Sequence, residues 1–124
     1  MDNRKRILYC DDYARFGTYF CRAVERLGHE PVFVDDAAKA WKLIQAGGKF
    51  DLIISDNDMP EMMGLEFLKL VRSNPATQDT PFVLYTASDD ADLPNVVSAL
   101  RASFESKVAM MSWTDRILKY LPAL

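Results

Sequence analysis

Four short apolar runs, at residues 7–10, 32–34, 52–54 and 82–85, stand out along the chain. Each is too short for a helix, and its β-branched and aromatic content suits a buried strand. Between the first two, Phe16, Phe20, Ala23, Val24 and Leu27 recur at helical spacing, with Gly28 as the C-terminal cap. A second helix is predicted over 37–46, with Ala37, Trp41 and Ile44 inward, Asp35 or Asp36 as cap, and Gly47-Gly48 ending it. A third, over 65–72, carries Leu65, Leu68 and Val71 on one side and stops before Asn74-Pro75, where proline disfavours helix at the preceding residue. After Tyr85 a polar loop leads to a fourth helix over 93–102, suggested by Val96, Val97 and Leu100. The fifth strand, over 104–108, reads Phe-Glu-Ser-Lys-Val, so it is short and hardly apolar. The last helix has Ser112 or Thr114 as cap, Asp115 in its first turn, and an apolar stripe of Ile117, Leu118 and Leu121.

Strands alternating with helices point to an α/β protein: a doubly wound parallel sheet with helices on both faces. Five such units occupy the 124 residues, so one domain over 1–124 with no output domain is expected. Composition agrees, with 49% apolar and 27% charged residues and no apolar run near the ~18 that a membrane helix needs. After Met-Asp-Asn-Arg-Lys-Arg only four apolar or small residues precede two aspartates, too few for a secretory signal. Eighteen acids against fifteen bases give a net charge of −3, which lacks the basic excess of a nucleic-acid binder. Cys10 and Cys21 form no C-x-x-C pair and no disulfide framework, so a cytoplasmic location is expected.

In doubly wound sheets ligands bind beyond the carboxyl ends of the strands. There the sequence places Asp11-Asp12 after strand one, Asp56-Asn57-Asp58-Met59-Pro60 after strand three, Thr86-Ala87-Ser88 after strand four, and Lys107 at strand five. Carboxylates this close repel unless a cation is bound, and hard oxygen ligands favour Mg²⁺. A carboxylate beside Mg²⁺, with an ammonium and a hydroxyl to neutralise equatorial oxygens, is suited to attack phosphorus. Asp56, ending the central strand, is the candidate acceptor.

These residues resemble the receiver domain of two-component response regulators, of the chemotaxis single-domain type. The resemblance is carried by Ile7-Leu8-Tyr9-Cys10-Asp11-Asp12, the Asp-x-x-Met-Pro-x-Met-x-Gly pattern from Asp56 to Gly64, Thr86-Ala87, and Phe104 three residues before Lys107. It implies a flavodoxin-like (βα)5 fold with strand order 2-1-3-4-5. It also implies that Asp56 is the phosphoacceptor, Asp12 a direct Mg²⁺ ligand, Asp11 a ligand through water, and the Asp58 carbonyl the third protein ligand. Lys107 would contact the phosphoryl group, while Thr86 and Phe104 would be the switch pair. Asp58 and Ser88 occupy positions where family members tune dephosphorylation. The implied partners are a histidine kinase or histidine phosphotransfer protein and a downstream protein target, with neither nucleic acid nor membrane. The chain would be a monomer or a weak phosphorylation-dependent dimer, and a signalling phosphoacceptor in place of a turnover enzyme.

The last third departs from the family pattern. Val108 follows Lys107 where proline with a cis bond is usual, a bond that would cost about 2.5–4 kcal/mol here. Glu105 and Ser106 replace apolar residues, so an unusual output face is expected. Two other readings exist. Asp56-x-Asp58 also fits a haloacid-dehalogenase-like phosphatase, although that nucleophile follows the first strand and a larger chain supplies a cap. A phosphorylation-independent interaction module would fit the polar fifth strand. Bland roles are expected for His29, a turn histidine, and for Cys10, a small buried hydrophobe. Met110, Met111 and Trp113 read as core beside the last helix, with partner contact as the other option.

Overall fold

The computed structural model describes residues 3–123, so Met1, Asp2 and Leu124 lie outside the described residues. Ten elements alternate strictly: β1 (Arg6–Cys10), α1 (Ala14–Arg26), β2 (Glu30–Val34), α2 (Ala37–Gln45), β3 (Leu52–Ser55), α3 (Gly64–Ser73), β4 (Phe82–Thr86), α4 (Leu93–Ala99), β5 (Ser103–Ser106) and α5 (Trp113–Leu118). The strands form one parallel sheet in the order β2-β1-β3-β4-β5. The order reverses between β1 and β3, and this places Asp11 and Asp56 side by side at the carboxyl rim. Pro31, which has no N–H to give a ladder, lies in edge strand β2.

Alternation along the strands builds two cores. Ile7 and Tyr9, Leu52 and Ile54, and Val83 and Tyr85 face α1 and α5, where they meet Phe20, Val24 and Ile117. Leu8 and Cys10, Ile53, and Phe82 and Leu84 face the other way, against Ala40, Ile44, Phe67, Leu68, Val71 and Val97. Each such side chain contributes roughly 1.5–3 kcal/mol when fully buried. Because β1, β3 and β4 are apolar on both faces, they read as continuous runs.

Several ends are settled by hydrogen bonds. Asp36 caps α2, accepting from the Lys39 N–H at 2.7 Å, while Asp35 pairs with the Lys39 ammonium. Ser112 caps α5, accepting from the Asp115 N–H at 3.1 Å. The fourth helix is shorter than the predicted 93–102, because Arg101 takes a left-handed φ of 58° and breaks the helical path after Leu100. The Arg72 guanidinium then satisfies the freed carbonyls of Leu100 (2.7 Å) and Arg101 (3.0 Å). His29 is structural: Nδ1 accepts from the Lys5 N–H, which leaves Nε2 to donate to the Pro122 carbonyl at 2.8 Å. Cys10 and Cys21 are both free, and Cys10 is fully buried.

The apolar stripes needed correction in three helices. Trp41 is only half-buried, and Ala37, Ala40 and Ile44 are the buried residues of α2. Val96 and Leu118 are exposed, while Leu93 and Val97 seal α4, and Arg116 and Ile117 are buried in α5. β5 begins at Ser103 and ends before Lys107, and Val108 is 77% exposed. Its polar residue Glu105 is buried, for a reason that lies in α5 and the turn after it: it is in contact with Arg116, Lys119 and Tyr120.

One glycine governs how the rim is built. The Gly64 N–H, at the start of α3, donates to the Asn57 carbonyl at 2.9 Å. A Cβ there would lie 2.0 Å from the Asp56 carbonyl oxygen and 2.9 Å from the Asn57 Cα. Both obstacles are backbone, so neither can swing aside. Gly64→Ala is expected to cost about 3 kcal/mol in urea denaturation. A loss within about 0.5 kcal/mol would show that the two segments can part freely.

Candidate functional site

The site grows from strand ends. β1 runs straight into Asp11, and the Asp11 N–H donates to the Val34 carbonyl at 3.2 Å, extending the ladder by one residue. Asp11 Oδ1 accepts from the Tyr13 N–H at 2.9 Å, which fixes the turn into α1. The Asp56 N–H likewise donates to the Cys10 carbonyl at 2.8 Å, continuing β3. Asn57, which the sequence reading passed over, holds the loop beyond it. Its Oδ1 accepts from the Leu65 N–H at 3.0 Å, and its own N–H donates to Asp56 Oδ1 at 2.8 Å.

Asp11, Asp12 and Asp56 bring carboxylate oxygens within 4.8 Å of one another. Asp11 is fully buried, Asp56 is 5% exposed, and Asp12 faces solvent. Two unit charges at that separation repel by roughly 3 kcal/mol at an effective dielectric near 20. Lys107, at the end of β5, answers two of them, donating to Asp11 Oδ2 at 2.7 Å and lying 3.2 Å from Asp56 Oδ1. Its ammonium also sits over the rings of Phe16 (5.1 Å) and Tyr85 (5.3 Å), which shield the pair from water. Three carboxylates thus face one ammonium.

Burial pushes the Asp56 carboxyl up to about 6, and the neighbouring Asp11 charge adds to the effect against the pull of Lys107 and the Asn57 N–H. For Lys107 burial works downward, but the hydrogen bond and charge of Asp11, with Asp56 behind them, hold the ammonium above its ordinary value. Tyr9, also passed over in the sequence, donates its hydroxyl to Asp11 Oδ2. Burial, with the Asp11 charge behind it, drives the Tyr9 phenol far above its usual range.

The remaining candidates surround this cluster. Thr86 is fully buried at the end of β4, its hydroxyl donating to Asp58 Oδ2 at 3.4 Å and accepting from the Ser88 N–H at 3.1 Å. The exposed Asp58 side chain therefore turns toward Thr86 and stands outside the three-carboxylate group, leaving only its carbonyl as the anticipated ligand. Ala87 is exposed beside Thr86 and presents no bulk to the pocket mouth. Phe104 is half-buried and contacts the core on the α4 side, opposite in direction to its strand neighbour Glu105. Hard oxygen donors on a rim open through Asp12 fit a hydrated Mg²⁺.

Comparison with known proteins agrees with this geometry. The family model for the response regulator receiver domain matches residues 7–118. A chemotaxis protein CheY homolog of Campylobacter jejuni is 29% identical over 115 residues, covering 92% of this chain and 86% of that protein. Chemotaxis protein CheY1 of Helicobacter pylori is 28% identical over 115 residues, covering 92% and 90%. Among solved structures, Vibrio cholerae CheY4 superposes with a TM-score of 0.82 at 25% identity, covering 95% of this chain and 99% of that one. Thermotoga maritima TrrA, solved in complex with Mg²⁺-BeF, superposes with a TM-score of 0.76 at 24% identity over 94% and 99%. With the family model spanning both cores and the whole acidic rim, the chain belongs to the response regulator receiver domain family.

Proposed function

We propose that Asp56 accepts a phosphoryl group from a histidine kinase or a histidine phosphotransfer protein, in a step that depends on Mg²⁺. The observation carrying this reading is the meeting of Asp11, Asp12, Asp56 and Lys107 at one strand rim. Asp56 Oδ1 is already held by the Asn57 N–H and Lys107, so Oδ2 is the oxygen with lone pairs to offer phosphorus. A new O–P bond forms there as the bond from phosphorus to the donor's nitrogen breaks, and the donor histidine departs with that electron pair. Mg²⁺ held by Asp12, Asp56 and the Asp58 carbonyl, with Asp11 acting through water, would neutralise charge on the carboxylates and the transferring group.

The Lys107 ammonium, 3.2 Å from Asp56 Oδ1, would donate to one phosphoryl oxygen, and the shielding rings of Phe16 and Tyr85 keep that charge undiluted. Thr86 supplies a hydroxyl that would leave its long contact with Asp58 for a phosphoryl oxygen. Its departure changes the space between β4 and β5, where Phe104 sits half-buried, and so alters the affinity of the β5 side for a protein target. Asp56 follows the third strand of the sheet, which disfavours the haloacid-dehalogenase-like alternative. Among the described residues no helix is long and apolar enough to cross a membrane, and the two free cysteines suit a reducing cytoplasm.

Incubation with a small acyl phosphate and Mg²⁺, followed by intact-mass analysis, is expected to show one added phosphoryl group. The adduct should vanish with EDTA and in Asp56→Asn. No adduct, or one that persists in Asp56→Asn, would contradict the assignment. Steady turnover of aryl phosphates would instead support a phosphatase.

The Asp56 equilibrium gives a second expectation. Its value in the folded protein, about 6, lies above the ordinary 3.8, so ionising this carboxyl opposes folding. The penalty is absent below the lower value, develops between the two, and is complete above about 6. In EDTA, Asp56→Asn should therefore gain about 2 kcal/mol over wild type between pH 4 and pH 7, and saturating Mg²⁺ should narrow that gap. A stability difference that does not change with pH would show that Asp56 carries no such burden.

A further inference from the structure

Tyr9 reaches into the acidic rim from the core with its polar end. Its ring is fully buried and held on several sides, by Trp113 (4.8 Å between centroids), Phe20 (5.1 Å), Phe33 (5.5 Å) and Tyr85 (6.3 Å). That packing aims the hydroxyl at Asp11 Oδ2, to which it donates. A carboxylate has about four acceptor positions. On Asp11 the Tyr13 N–H takes one on Oδ1, and Lys107 and Tyr9 take two on Oδ2. One position, on Oδ1, is left to face a hydrated cation.

We infer that Tyr9 is a positioning residue that competes with the metal for Asp11, stabilising the metal-free pocket and holding Mg²⁺ affinity down. This rests on the receiver reading above and names a residue through which this chain sets its own metal requirement. The sign follows from charge. With no cation present, the Tyr9 hydroxyl offsets the negative charge of a carboxylate removed from water. When a cation draws on the same carboxylate, that hydrogen bond weakens, so it stabilises the metal-free form more than the loaded one. Removing the hydroxyl while keeping the ring therefore raises the free energy of the metal-free form more than that of the loaded form.

The test compares full-length wild type with Tyr9→Phe by calorimetric titration with Mg²⁺. Binding should tighten roughly three- to tenfold in the variant, a partial loss of one hydrogen bond to a charged group. Its metal-free melting temperature should fall, and Mg²⁺ should restore it. With an acyl phosphate donor, the Mg²⁺ concentration for half-maximal phosphorylation should drop by the same factor. A packing defect would loosen the metal, so the direction separates the two roles. A folded variant with equal or weaker Mg²⁺ affinity overturns the inference alone, whereas a wild type that binds no Mg²⁺ overturns the proposed Mg²⁺-dependent phosphoryl transfer as well. Should Tyr9→Phe fail to fold, the competition is read in wild type by NMR. The Tyr9 hydroxyl proton should move upfield on Mg²⁺ addition, and an unmoved resonance overturns the inference.

Discussion

Three carboxylates confined within 4.8 Å, two of them almost wholly out of water, are the constraint around which this domain is organised. A single ammonium, Lys107, answers only two of them, and burial, with the Asp11 charge behind it, holds the Asp56 carboxyl above its ordinary value. The rest of the site is a set of devices for carrying that charge: donors from Tyr9 and Tyr13 on Asp11, from Asn57 on Asp56, and aromatic faces around the lysine. Such a pocket is predisposed toward a cation and toward a group that arrives with one.

The same contacts hold the fold's moving parts together. Asp11 sets the entry to α1, Asn57 and Gly64 set the entry to α3, and Lys107 ties the end of β5 to β1 and β3. A second charged cluster lies behind the first. Glu105 on β5 accepts from Lys119 and Tyr120, and these donors hold its carboxyl below the ordinary range although burial works the other way. Arg116 approaches Glu105 at 3.7 Å, and its Nε and Nη2 find no hydrogen-bond partner. Ring faces take the place of that partner, with the guanidinium over Tyr85 at 4.4 Å and Trp113 at 4.9 Å. Tyr85 also underlies Lys107, so the acidic pocket and α5 share one aromatic wall.

Central strands were legible from the sequence because burial on both faces leaves unbroken apolar runs, 7–10, 52–54 and 82–85, within β1, β3 and β4. The acidic rim was legible too, since strand ends are where such sheets bind ligands and four aspartates fall there. What escaped notice depends on partners distant in sequence. Glu105 looked like a polar blemish until α5 and the residues after it supplied Arg116 and Lys119, and nothing in the sequence marked Arg116 as buried beneath Tyr85 and Trp113. Tyr9 read as one more apolar strand residue, because nothing in periodicity says which way a phenol hydroxyl points. The expected helix faces of α4 and α5 slipped at Val96 and Leu118, where short helices leave fewer than two turns to fix the phase.

The most direct measurement is a crystal structure of the protein with Mg²⁺ and beryllium fluoride, the latter standing for a phosphoryl group on a carboxylate. Density for the fluoride adduct is expected on Asp56 Oδ2, with the metal against Asp12 and Asp56, and fluorine atoms contacted by Lys107 Nζ and Thr86 Oγ1. A bare Asp56 in the presence of saturating ligand, or an adduct that leaves Lys107 bound only to Asp11, would contradict the assignment of this rim as a phosphoryl site.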